Sequence, residues 1–255
     1  MSNTEKVFFS LLSVVLFISV HAERPACIDY MSKYLAEIKT MEGTYTKEIT
    51  AGGEKVKTKI TFYDDSPNRK KHLLVSDSKG TKNDVYVLND TLFILDKQEK
   101  AIYFLNIDEY GDVGRKMFDL NVFESLSILE SLKDHDSILV QTDKNKKLNV
   151  SFISDTSNPV YSLIIVRFTQ DSLPELIEMY DWNRKVMMQL QYSKYKNKLP
   201  TAIKAYTKME GVVMEEKTSI SNLKLNSNIS PKNFEFSREG FTVTSLKDLI
   251  GPSLK

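Results

Sequence analysis

Cysteine, histidine and tryptophan are scarce here: one, three and one in 255 residues. A lone Cys27 leaves the chain without an internal disulfide, whatever compartment it enters. An excess of one charge is missing too, since 35 Lys and Arg stand against 34 Asp and Glu. That balance argues against the basic footprint of a nucleic-acid binder and gives no sign of steering toward an anionic membrane surface. Catalytic signatures are absent: there is no G-x-S-x-G, H-E-x-x-H, C-x-x-C or phosphate loop. His135 sits in Asp134-His135-Asp136, where neighbours splay apart, and reads as a solvated helix exit. His72 follows Asn68-Arg69-Lys70-Lys71 and reads as a rim residue. The pairs Asp64-Asp65 and Glu215-Glu216 read as a turn and a solvated strand, and adjacent strand residues point to opposite faces. A glycosidase needs two facing carboxyls instead. No enzyme activity, cofactor or metal is expected.

Apolar runs of membrane-spanning length are also lacking. Val7 to Val20 is about 14 residues, short of the roughly 20 that cross a bilayer as a helix. With Lys6 before it and Val20-His21-Ala22 after it, residues 1–22 read as a signal peptide cleaved after Ala22. The mature chain then starts at Glu23. Arg24-Pro25-Ala26 is a poor lipidation signal, so Cys27 is expected to be a small buried residue of the first helix. No linker or composition shift divides residues 23–255, which read as a single domain.

What the chain does have is alternation. Ile28, Met31, Leu35 and Ile38 recur at helical spacing, which predicts a helix over residues 26–39. Then β-type pattern takes over, at Thr44 to Thr50, Lys55 to Tyr63, His72 to Ser76, Asp84 to Leu88, Thr91 to Asp96 and Lys100 to Asn106. Asn89-Asp90 suits a tight hairpin. One apolar helix interrupts, over residues 120–132, with Asp119 as its cap and Leu120, Phe123, Leu126, Leu129 and Leu132 on one side. Strands resume from Ser137 through Ser221, with turns at Trp182-Asn183-Arg184 and Glu210-Gly211. About 11–13 strands result. A meander this long should curl into a barrel, because a large twisted sheet otherwise exposes its edges.

Faces can be assigned from parity. Val85, Val87, Leu92, Ile94, Ile102 and Phe104 are expected on one face; Tyr86, Leu88, Phe93, Leu95 and Tyr103 on the other. Ile60 and Phe62, and then Leu73 and Val75, extend the first set. Val186, Met188, Leu190 and Tyr192 share a face of a later strand. For these Met-bearing strands, ordinary core and an adaptable apolar cavity both fit.

Four stretches resemble the periplasmic outer-membrane lipoprotein carriers, the LolA/LolB-like family. Tyr34 to Lys47 is similar to the family's opening helix and first strand. Ser66-Pro67-Asn68 with Leu73-Leu74-Val75 is similar to its second stretch. Leu88 to Asp96 resembles its turn and aromatic strand. Asn233-Phe234-Glu235-Phe236 with Gly240-Phe241-Thr242-Val243 resembles its closing signature. The resemblance implies an unclosed antiparallel barrel with helices over an apolar cavity, located in the periplasm. It implies a monomeric carrier whose cargo is acylated lipoproteins. Such a carrier is loaded by an inner-membrane lipoprotein-releasing ABC transporter and unloaded at an outer-membrane acceptor. The face residues named above, with Leu120, Phe123 and Leu126 of the lid helix, would then be the lipid-binding wall. A sensor on a similar barrel, binding lipoprotein or a signalling protein, is the alternative. The family's latch Arg before the Pro-Asn step is Ser66 here, and Arg69 lies three residues on.

Overall fold

The computed structural model describes residues 26–110, 123–132, 137–154, 160–209 and 211–250. Residues 1–22, where a signal peptide is expected, and Asp119, Leu120 and His135 lie outside them. Helix α1, Ala26–Ala36, places Cys27, Ile28 and Met31 in the interior. It ends earlier than its periodicity suggests. Thr40 already opens the first strand, and the Lys39 backbone N–H donates to the Asn226 side chain, outside any helix.

Six strands follow as a meander: β1 (Thr40–Ala51), β2 (Glu54–Asp65), β3 (Lys70–Asp77), β4 (Lys82–Leu88), β5 (Thr91–Asp96) and β6 (Ala101–Asn106). The two-residue turn at Asn89-Asp90 forms as expected, with Asn89 at φ 56. Helix α2, Glu124–Ser131, separates this meander from the second. The second runs β7 (Ile138–Thr142), β8 (Leu148–Ile153), β9 (Leu163–Phe168), β10 (Pro174–Tyr180), β11 (Val186–Lys196), β12 (Leu199–Met209) and β13 (Val212–Leu225). A last short strand, β14 (Thr242–Ser245), precedes helix α3 (Leu246–Ile250).

All fourteen strands form one sheet, in the order β14-β6-β5-β4-β3-β2-β1-β13-β12-β11-β10-β9-β8-β7. The meanders join where β1 pairs with β13, from Met41 opposite Leu225 to Ala51 opposite Met214. The sheet stays unclosed, because β14 and β7 are its two edges. Two expectations are corrected. Among the described residues there are fourteen strands rather than 11–13, and β14 runs parallel to β6, so the sheet is mixed. A parallel pairing made across a long connection leaves no local alternation to read.

Cross-strand register fixes the two faces. On one, Tyr45 stands opposite Ile60, Ile60 opposite Val75, Leu73 opposite Val85, and Val85 opposite Ile94. Both α1 and α2 lie on this side, within one core cluster that includes Met31, Phe62, Phe123, Leu126, Phe152, Ile177 and Tyr192. On the other, Tyr86, Phe93, Leu95 and Ile102 form a separate cluster under Phe236 and Phe241 of the C-terminal segment.

Candidate functional site

The helix-covered face is the candidate site, and most of the expected wall residues meet there. Ile60, Phe62 and Leu73 are buried in the main cluster, with Val75 and Val85 packed against it. Close approach is needed at Gly43, opposite Phe62. A Cβ there would lie 2.9 Å from the Phe62 ring. On the second meander Leu190 and Tyr192 are buried, and Val186 and Met188 half-buried. A continuous row crosses six strands here. Met214 pairs with Thr207, Thr207 with Met188, Met188 with Met179, Met179 with Ile164, and Ile164 with Phe152. Burial grades along it, from Phe152 at 0% exposed to Met214 at 37%.

Other expected wall residues fall elsewhere. Val87 and Leu92 share the helix-covered face, but they belong to a smaller cluster with Leu105 and Ile107, against which Ile94, Tyr110 and Leu246 pack. Ile102 and Phe104 are corrected outright. Leu95 stands opposite Ile102 and Phe93 opposite Phe104, which puts both on the opposite face. The reason is the four-residue connection Lys97 to Lys100, which sets which residues of β5 and β6 oppose each other. An error of one residue there reverses every assignment on β6.

The mid-chain helix is not a lid over an open cavity. Phe123, Leu126 and Leu129 are each 1% exposed, packed down on the sheet. The buried Tyr192 hydroxyl donates to the Ser125 carbonyl at 3.0 Å and ties α2 to β11. Burial pushes the Tyr192 pKa far up, so this donor stays protonated. Opposite β11, α1 is held by the turn before β12. There the Tyr34 hydroxyl donates to the Asn197 carbonyl, and the Lys198 ammonium lies 4.8 Å from the Tyr30 ring centre.

A cleft of ≈ 240 Å³ remains between α1, β1, β2 and β3. Leu35, Ile38, Met41 and Phe123 give it an apolar side; Lys39, Asp64, Ser66 and Lys71 give it a polar one. Asp64 pairs with Lys71 at 3.3 Å and accepts a hydrogen bond from Ser66 Oγ. Arg69 does not reach a helix: its guanidinium is bound to Asp90 in the β4–β5 turn. Cys27 is buried in α1, and burial pushes its thiol up to about 11, so it is not poised as a nucleophile.

Two features escaped the sequence reading. Lys47 and Glu216 form a 2.8 Å ion pair on the helix-covered face, between apolar neighbours. The β1–β13 register brings them together, from strands more than 160 residues apart. The second is His72. It is not on a rim but 6% exposed on the opposite face. Its ring is stacked on Tyr86 at 4.0 Å and on Tyr63 at 5.7 Å, with the Asn233 backbone close to it but, among the described residues, no partner at full hydrogen-bond geometry for either ring nitrogen. The basic run before it suggested exposure; the cover supplied by residues over 150 positions later left no local sign.

No family model and no curated protein matches the chain. Among the solved structures similar to it are three that each match 82% of this chain. A LolA superfamily protein from Nitrosomonas europaea is 12% identical, with a TM-score of 0.47 and 97% of its own length covered. A DUF1329 family protein from Desulfovibrio piger is 16% identical, with a TM-score of 0.48 and 96% covered. A putative outer membrane lipoprotein-sorting protein domain from Vibrio parahaemolyticus is 13% identical, with a TM-score of 0.47 and 95% covered.

Proposed function

We propose that this chain is a periplasmic carrier that holds the acyl chains of lipoproteins against its helix-covered face and shuttles them from the inner to the outer membrane. One observation carries the reading. Helix α2 and the residue before it cover an apolar wall through Phe123, Leu126 and Leu129, and the Tyr192 hydroxyl of the sheet donates to its Ser125 carbonyl. Displacing it would expose a wall built from Phe62, Leu73, Leu190 and the Met188–Met179 row. Acyl chains bury about 0.8 kcal/mol per methylene, so an acylated protein stays in water only while its chains are covered. Such a wall must be apolar, unspecific and reversible, and Met suits that need.

The cleft beside α1, ≈ 240 Å³, is below the roughly 300–1,000 Å³ usual for a ligand pocket. On this reading α2 moves to admit cargo, and the filled face is the unloaded state. The partners that follow are an acylated lipoprotein, an inner-membrane releasing transporter and an outer-membrane acceptor, with the carrier itself a monomer made from residues 23–255. A transfer assay tests this. The chain should move lipoprotein from inner-membrane vesicles to an outer-membrane acceptor. Binding without transfer would instead support a sensor of lipoprotein, and no binding would end the carrier reading.

A further inference from the structure

At the hairpin tips farthest from α1, the sheet leaves apolar side chains in water. Among the described residues eight large apolar side chains are exposed, and six of them, Ile153, Val160, Trp182, Val212, Val213 and Met214, stand at this one end. They lie at the ends of β8 and β13 or in the β8–β9 and β10–β11 connections, on strands that are neighbours along the sheet. Singly scattered apolar residues need no explanation, but a rim of them marks an interaction surface.

The chemistry at the tips points to the occupant. Trp182, the chain's only tryptophan, is 44% exposed in the turn between β10 and β11. Arg184 and Lys185 follow it, and Lys208 stands near the next tip. The acid of the turn, Asp181, is engaged locally: its carboxylate accepts the Lys185 backbone N–H at 2.8 Å. An indole flanked by Arg and Lys settles at the boundary between lipid headgroups and acyl chains, its ring in the apolar layer and the cations at the phosphates. The rim is also continuous with the candidate site, because Met214 is the exposed end of the row that runs through Met188 and Met179.

We propose that the β10–β11 and β12–β13 tips dock this chain on a lipid bilayer. Trp182, Val212, Val213 and Met214 enter the interfacial layer, and Arg184, Lys185 and Lys208 meet the phosphates. The purpose of docking rests on the carrier reading, since the edge would pass an acyl chain directly onto the methionine row. The docking itself requires only the rim. The chain is close to neutral as a whole, so local insertion rather than net charge must carry the contact, which keeps it weak and reversible.

The test uses the purified chain with vesicles of phosphatidylethanolamine and phosphatidylglycerol, and follows Trp182 fluorescence. Trp182 is the only indole, so every change reports this tip. Emission should move to the blue and be quenched by brominated acyl chains. The double variant Val212→Ser, Met214→Ser should lose about tenfold in vesicle affinity, while its emission in solution stays unchanged. Unaltered emission at saturating lipid would overturn the proposal. So would a blue shift that needs no vesicles and follows protein concentration, which would assign the rim to a second copy of the chain. Uptake of a fluorescent fatty acid in solution, measured in parallel, separates the two readings. Docking without uptake keeps the membrane edge and sinks the carrier; uptake without docking does the reverse.

Discussion

Met188 stands half-buried at the point where the filled part of the helix-covered face gives way to its exposed edge. Met188→Glu puts a carboxylate on the wall proposed for acyl chains. The group would either protonate or draw in water, and both weaken acyl binding. Room at a half-buried position should hold the loss in Tm to roughly 2–4 °C, the size of a change near 1 kcal/mol in a chain of this length. Thermal melting and fatty-acid uptake on the same variant decide the matter. Unfolding would make Met188 ordinary core, and unchanged uptake would remove this face from the binding wall. His72 makes a second prediction. Burial pushes its pKa down, with Asp84 and the Asn233 backbone pulling the other way and Lys97 adding to the depression. The folded state therefore prefers the neutral ring. That contribution to stability is complete above the unfolded value of about 6.5 and is lost as pH falls through the lower folded value. Melting temperature should drop between about pH 7 and pH 5. His72→Phe, which keeps the stack between Tyr63 and Tyr86, should flatten that part of the slope. An identical slope in both proteins would rule out His72 as its source.

Helix α2 is the element on which the functional reading turns. Tyr192→Phe removes its hydrogen bond to the Ser125 carbonyl, at a cost of about 0.5–1.5 kcal/mol. Hydrogen exchange should then show the α2 amides opening faster, with the strands β8 and β9 unchanged. In the unaltered chain, adding lipid should change α2 exchange, because the proposed carrier displaces the helix when it loads. Equal and strong protection with and without lipid would make α2 a permanent plug. The sequence announced this helix through Phe123, Leu126 and Leu129, which recur at helical spacing. Whether it lies packed or raised is a question of competition with a ligand, and no periodicity encodes that. The strands were legible for the same reason. β4 and β5 alternate around Asn89-Asp90, and the left-handed Asn89 closes them as expected. The face of β6 was not legible, because Lys97 to Lys100 carries no signal for which residue re-enters the sheet. Likewise Phe236 and Phe241 read only as a closing motif. Their role as the cover over Tyr86 and Ile102 depends on a parallel strand arriving from the far end of the chain.

At the scale of the whole molecule, two meanders share one sheet through β1 and β13, and the sheet stops short of closure. The consequence is one long apolar face with α1 and α2 on it, a C-terminal segment over part of the other, and an exposed apolar rim at one end. A fully closed barrel would admit cargo only through its ends. An open sheet can admit acyl chains from the side when a single helix moves, which ties the architecture to the proposed carriage of lipoproteins. The most direct test is native mass spectrometry of the chain mixed with a synthetic triacylated lipopeptide, alongside the same peptide without its acyl groups. The carrier reading predicts a one-to-one complex with the acylated peptide and none with the bare one. Binding of neither peptide, or equal binding of both, would contradict it.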